Sequence, residues 1–135
     1  MKHVLPAALL ILAVISATTS CKKERPQQPV AQSSSRTLRF ILYTNEDFSG
    51  DEHNISFALH IDNGKTAPFD STVFSTKVKN IPDKAHQLVF ERKIPNDGLP
   101  VTAGFVYTIQ NVGISWHLDT CAANEKLKVI EYPFQ

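Results

Sequence analysis

Between residues 54 and 62 the apolar side chains fall on every second position: Ile55, Phe57, Leu59 and Ile61 alternate with Ser56, Ala58, His60 and Asp62. A period of two puts the first four on one face of an extended strand, whereas an amphipathic helix needs a repeat of 3.6. One such strand cannot cover its own apolar face, so the chain must supply others to pack against it.

Six further stretches answer that need. Leu38, Phe40 and Leu42 are expected on one side of a first strand, with Arg39, Ile41 and Tyr43 on the other. Val73 and Phe74 mark a third strand running toward Val78, and Leu88 and Phe90 are the expected inward pair of a fourth. Phe105, Tyr107 and Ile109 line a fifth, and Ile114, Trp116 and Leu118 are expected on the inner side of a sixth. In the seventh, Leu127 and Val129 are out of phase with Tyr132 and Phe134, and a register change near Ile130 would return both pairs to the core. Turn-forming residues separate these stretches, including Asn63-Gly64, Pro82-Asp83 and Pro95-Asn96-Asp97-Gly98. The expected fold is therefore all-β, a sandwich of about seven antiparallel strands, immunoglobulin-like or transthyretin-like. The Cys-Trp-Cys spacing of antibody domains is absent, so Trp116 is expected in a core without that particular role.

The N-terminus addresses location. Lys2 and His3 precede an apolar run over residues 4–17, and small residues then lead to Cys21 and Lys22-Lys23-Glu24-Arg25. The run has about 14 residues against the roughly 20 needed to span a bilayer, which marks an export signal. Ser20 before Cys21, with Lys-Lys-Glu after it, resembles the signal peptide of lipoproteins of Bacteroidota. The resemblance implies cleavage before Cys21, acylation of that residue and anchoring in the bacterial cell envelope, at the outer membrane; it carries over no catalytic residue. The expected organisation is a signal over residues 1–20, a lipidated cysteine and tether over 21–36, and a β-sandwich over 37–135. The tether is rich in Pro, Gln and Ser, as flexible linkers are.

Charge and cysteines narrow the function. Residues 37–135 hold nine basic and twelve acidic side chains, a balance without the basic footprint of a nucleic-acid binder. The chain has two cysteines, and lipidation of Cys21 leaves Cys121 without an intramolecular partner. A disulfide between them requires that Cys21 escape lipidation, and a buried, inert thiol is the expected state of Cys121. Asp47, Asp51 and Glu52 in the first long turn are the weak candidates for calcium, although they do not follow the spacing of an EF-hand loop. His60, His86 and His117 form no metal or catalytic motif, and no cofactor is implied. The leading expectation is a noncatalytic envelope lipoprotein that presents a sandwich to a partner protein or supports envelope assembly, with Tyr43, Tyr107 and Tyr132 as candidate ligand-facing aromatics. A carbohydrate-binding module is the alternative, followed by an envelope hydrolase whose site no motif reveals.

Overall fold

The computed structural model describes residues 34–135. Seven strands follow one another: β1 (Ser35–Thr44), β2 (Asn54–Asp62), β3 (Phe69–Lys77), β4 (Leu88–Pro95), β5 (Val101–Ile109), β6 (Gly113–Cys121) and β7 (Leu127–Phe134). Two short 3₁₀ turns, Val78–Asn80 and Lys84–His86, lie between β3 and β4. One sheet has the order β4-β1-β7 and the other β3-β2-β5-β6. All neighbours are antiparallel except β1 and β7, which run parallel. The immunoglobulin arrangement would join the first two strands in one sheet. Here β1 and β2 lie in opposite sheets of the sandwich.

The alternation of the strands builds the core directly. Leu38, Phe40 and Leu42 of β1 face Ile55, Phe57, Leu59 and Ile61 of β2, and all seven are buried. Phe105 joins them from β5 and meets Phe40 edge-on across the sheets, ring centres 5.8 Å apart. Phe57 touches four rings, those of Phe74, Phe105, Tyr107 and Phe134. Leu88 and Phe90 pack against this cluster as half-buried residues.

Two expectations about strand faces fail. The β1–β7 ladder is continuous from Leu127 to Phe134, with no register change. Ile130 and Phe134 are buried as alternate residues of one face with Lys128 and Tyr132, whereas Leu127 and Val129 are half exposed. A continuous strand cannot turn both of its faces inward, and the face holding Ile130 meets the opposite sheet. Ile114, Trp116 and Leu118 of β6 also point away from the core, with exposures of 67, 66 and 38%.

The folded region also begins earlier than residue 37, because Arg36 lies within β1 and is fully buried. Its guanidinium donates to the carbonyl oxygens of Leu99 (2.7 Å), Ala122 (3.2 Å) and Ala123 (3.4 Å), and to Asn96 Oδ1. Among the described residues no carboxylate pairs with it; carbonyl dipoles take the place of water around the charge, and of its nitrogens Nε has no partner there. Arg36 thereby ties the β4–β5 and β6–β7 connections to the start of β1.

Candidate binding surface on the β6 edge

The register of the four-stranded sheet defines its outer face row by row. Leu118 lies beside Gly104, His60 and Asp70; Trp116 beside Val106, Ala58 and Thr72; Ile114 beside Thr108, Ser56 and Ser75. Each row is apolar at β6 and becomes polar toward β3, so the apolar surface is concentrated at one margin. At the opposite, polar margin His60 Nδ1 and Asp70 Oδ1 are 2.8 Å apart, and the hydroxyls of Ser56 and Ser75 are 2.9 Å apart. Asp70 and Ser75 of β3 are thus engaged by side chains of β2, while Trp116 and Ile114 are two-thirds exposed.

Local backbone chemistry holds β6 in place. The turn from β5 uses Asn111 at φ 61°, a left-handed conformation that asparagine tolerates better than most residues, and Gly113 at φ 146°. At Gly104 the two strands come so close that a Cβ would lie 2.0 Å from the His117 carbonyl oxygen and 2.8 Å from Leu118 Cα. Only glycine fits this approach.

The inward row of β6 is polar and is only partly covered by β7, with Ser115 and Asp119 exposed and His117 half-buried. His117 stacks on Tyr132 with ring centres 4.6 Å apart, and Lys128 Nζ pairs with Asp119 at 2.7 Å. Tyr107 and Tyr132, two of the three aromatics singled out in the sequence, stack at 5.7 Å in this same region. Burial, and then the hydrogen bond with Tyr107, pushes the Tyr132 hydroxyl well above its usual pKa. Both rings are half-buried and pack between the sheets. Tyr43 is elsewhere: it is buried at the three-stranded sheet, donates to Glu131 Oε1 (2.7 Å) and lies under the Lys84 ammonium. The hydrogen bond to Glu131 raises its pKa, with burial adding to the effect.

The remaining candidates are occupied by local partners. Glu52 is bound by Lys77 and Lys79, whose hydrogen bonds hold its carboxyl down to about 2. Asp51 accepts from the His53 backbone N–H and pairs with its ring, and Asp47 accepts from the Ser49 N–H; these bonds lower both carboxyl pKa values. Among the described residues, no group of three or more His, Cys, Asp or Glu side chains is placed to hold a metal. His86, in the second 3₁₀ turn and outside both sheets, pairs through Nδ1 with Asp83 Oδ1 at 2.8 Å on the surface. Cys121 is buried, and burial raises its pKa, which favours the unreactive thiol. Cys21 lies outside the described residues.

A small hollow of about 190 Å³ lies at one end of the sandwich, lined by Ile61, Phe69, Ile94 and Val101, with Asp97 at its rim. Small-molecule pockets usually measure roughly 300–1,000 Å³. Asp97 is also engaged, by the Leu99 N–H and by Lys65 at 3.5 Å. The margin of β6 is the stronger candidate.

No protein-family model, curated protein or solved structure matches this chain. Its function has to be argued from the surface itself. The residues that sequence reasoning placed wrongly, Ile114, Trp116 and Leu118, are the ones that build the candidate surface. Their alternation looks the same whichever way the strand faces. The sequence signal available was the opposite row: Ser115, His117 and Asp119 are polar and fit a margin where the cover is partial.

Proposed function

We propose that this protein is a noncatalytic envelope lipoprotein whose sandwich presents the outer margin of β6 to a protein partner. The observation that carries the reading is the outward strip of Ile114, Trp116 and Leu118 on a strand that, among the described residues, has no neighbour on its far side. Large apolar side chains in solvent, rimmed by polar ones, are characteristic of interaction sites. Tryptophan is also among the residue types most enriched in binding hot spots.

Trp116 is the one tryptophan in the chain, so its fluorescence reports on this surface directly. Capture from envelope extract by the full-length chain should fall at least tenfold with Trp116→Ala, and partner addition should shift the wild-type emission to the blue. Folding should be preserved, because the side chain is two-thirds exposed. Undiminished capture by the variant would remove β6 from the interaction. A glycan is the second reading, favoured by the two-thirds exposure of the indole; a blue shift on titrating envelope polysaccharide, with no protein captured, would support it over the first.

The location is part of the same proposal. Acylation of Cys21 would keep the domain at a membrane, where multiple chains hold a protein firmly. Intact-mass measurement of the membrane fraction should find a chain beginning at Cys21 with acyl additions. Recovery of an unmodified chain with another N-terminus in the soluble fraction would overturn it.

A further inference from the structure

The two sheets have four edges, and three of them carry devices that discourage pairing with another strand. β3 has a bulge opposite Phe57 and Ala58, with Asp70 and Lys77 near its ends. β4 carries Glu91, Arg92 and Lys93 and ends in Pro95. β7 carries Lys128, Glu131 and Pro133. β6 pairs with β5 over nine residues in unbroken register, and has neither proline nor lysine. Its one carboxylate, Asp119, is already paired with Lys128. An open, regular, apolar strand edge is a template for a further strand.

We infer that the occupant of this edge is a second copy of the same chain, joined β6 to β6 in antiparallel register about a two-fold axis through Trp116. The inference rests on the reading of β6 as the docking margin. Self-pairing about Trp116 sets Trp116 opposite Trp116 and Ile114 opposite Leu118, so the apolar row meets an apolar row. The same register sets Ser115 opposite His117 and Gly113 opposite Asp119, with no like charges opposed. A strand centred elsewhere would shift Trp116 away from its copy, and an odd shift would turn the apolar row against the polar one. The segment preceding β1 is a poor occupant, since residues 22–33 include Pro26 and Pro29 and little apolar material.

Edge pairing of two nine-residue strands buries on the order of 1,000 Å² in total, the lower end for specific interfaces. The dimer is therefore one that forms and dissociates with concentration. Confinement to a membrane surface would raise the effective concentration of one copy around another.

Sedimentation of the full-length chain, in detergent with micelles in large excess, tests this up to about 1 mM. A monomer–dimer equilibrium is expected, with Trp116 emission moving to the blue as dimer accumulates. Trp116→Lys would set two ammonium groups opposite each other and should raise the dissociation constant at least tenfold. Val89→Lys, on the other sheet, should leave it unchanged. The register has its own readout. Under oxidation, a mixture of Ile114→Cys and Leu118→Cys chains should yield a disulfide-linked 114–118 peptide by mass spectrometry, because opposed Cα atoms of an antiparallel pair are within disulfide reach. Neither variant should form its own symmetric link. A chain that stays monomeric throughout overturns the inference, as does a dimer unaffected by Trp116→Lys. If the chain is monomeric and Trp116→Ala still abolishes partner capture, the second copy is excluded while the docking margin stands.

Discussion

Phe57→Ala is expected to lower the unfolding free energy by about 3–5 kcal/mol, the range for deleting a fully buried phenylalanine. The side chain is completely buried, and its four ring neighbours come from β3, β5 and β7. These strands belong to both sheets and cannot close the void together without moving one sheet against the other. The loss thus combines transfer of the ring with a residual cavity. Denaturant unfolding of the full-length chain should show a lower midpoint at an unchanged slope. A loss under about 0.5 kcal/mol would mean that Phe57 is not in the core.

Gly104→Ala should be damaging to a similar degree although it adds only one methyl group. Overpacking typically costs about 1–3 kcal/mol when side chains can adjust. Here the obstacles are backbone atoms, the His117 oxygen at 2.0 Å and Leu118 Cα at 2.8 Å, and no rotamer relieves them. We expect a loss of about 3 kcal/mol or more, with β5 and β6 forced apart. Hydrogen exchange should locate the damage: the amides that β6 donates to β5 should lose protection before those of β1 and β2. Because β6 is the proposed docking margin, partner capture should weaken as well. Wild-type stability with full β6 protection would show that the strands have room for a side chain.

The comparison of these two residues shows what could be read before the fold was known. Phe57 sits in a strict alternation between Ile55 and Leu59, and an alternation that strong leaves one choice of inward face. The same logic placed Leu38, Phe40, Leu42 and Phe105 inside. On β6 and β7 it misled, because both strands carry apolar residues on the face that turned out to be open. A strand at the margin of a sandwich is covered only as far as the opposite sheet extends, and here four strands face three. Which row of β6 meets β7 depends on strand order, and no residue within β6 specifies that order. Arg36 was similarly illegible: beside a polar segment it resembles a tether residue, and its carbonyl partners at Leu99, Ala122 and Ala123 are more than sixty residues away.

Of the candidate site, the sequence assigned Trp116 to the core, and it offered Tyr107 and Tyr132 as ligand-facing, where the fold stacks them on each other as half-buried residues between the sheets. Local pattern by itself determined the all-β class, the seven strands and the inward faces of β1, β2 and β5, because period-two alternation and turn residues act within a few positions along the chain. The tertiary structure alone decided that β1 joins β4 and β7, that Arg36 is solvated by distant carbonyls, and that Ile114, Trp116 and Leu118 face solvent. Those outcomes depend on the width and stacking of two sheets, and such long-range pairing is set by the free energy of the whole core rather than by any one strand.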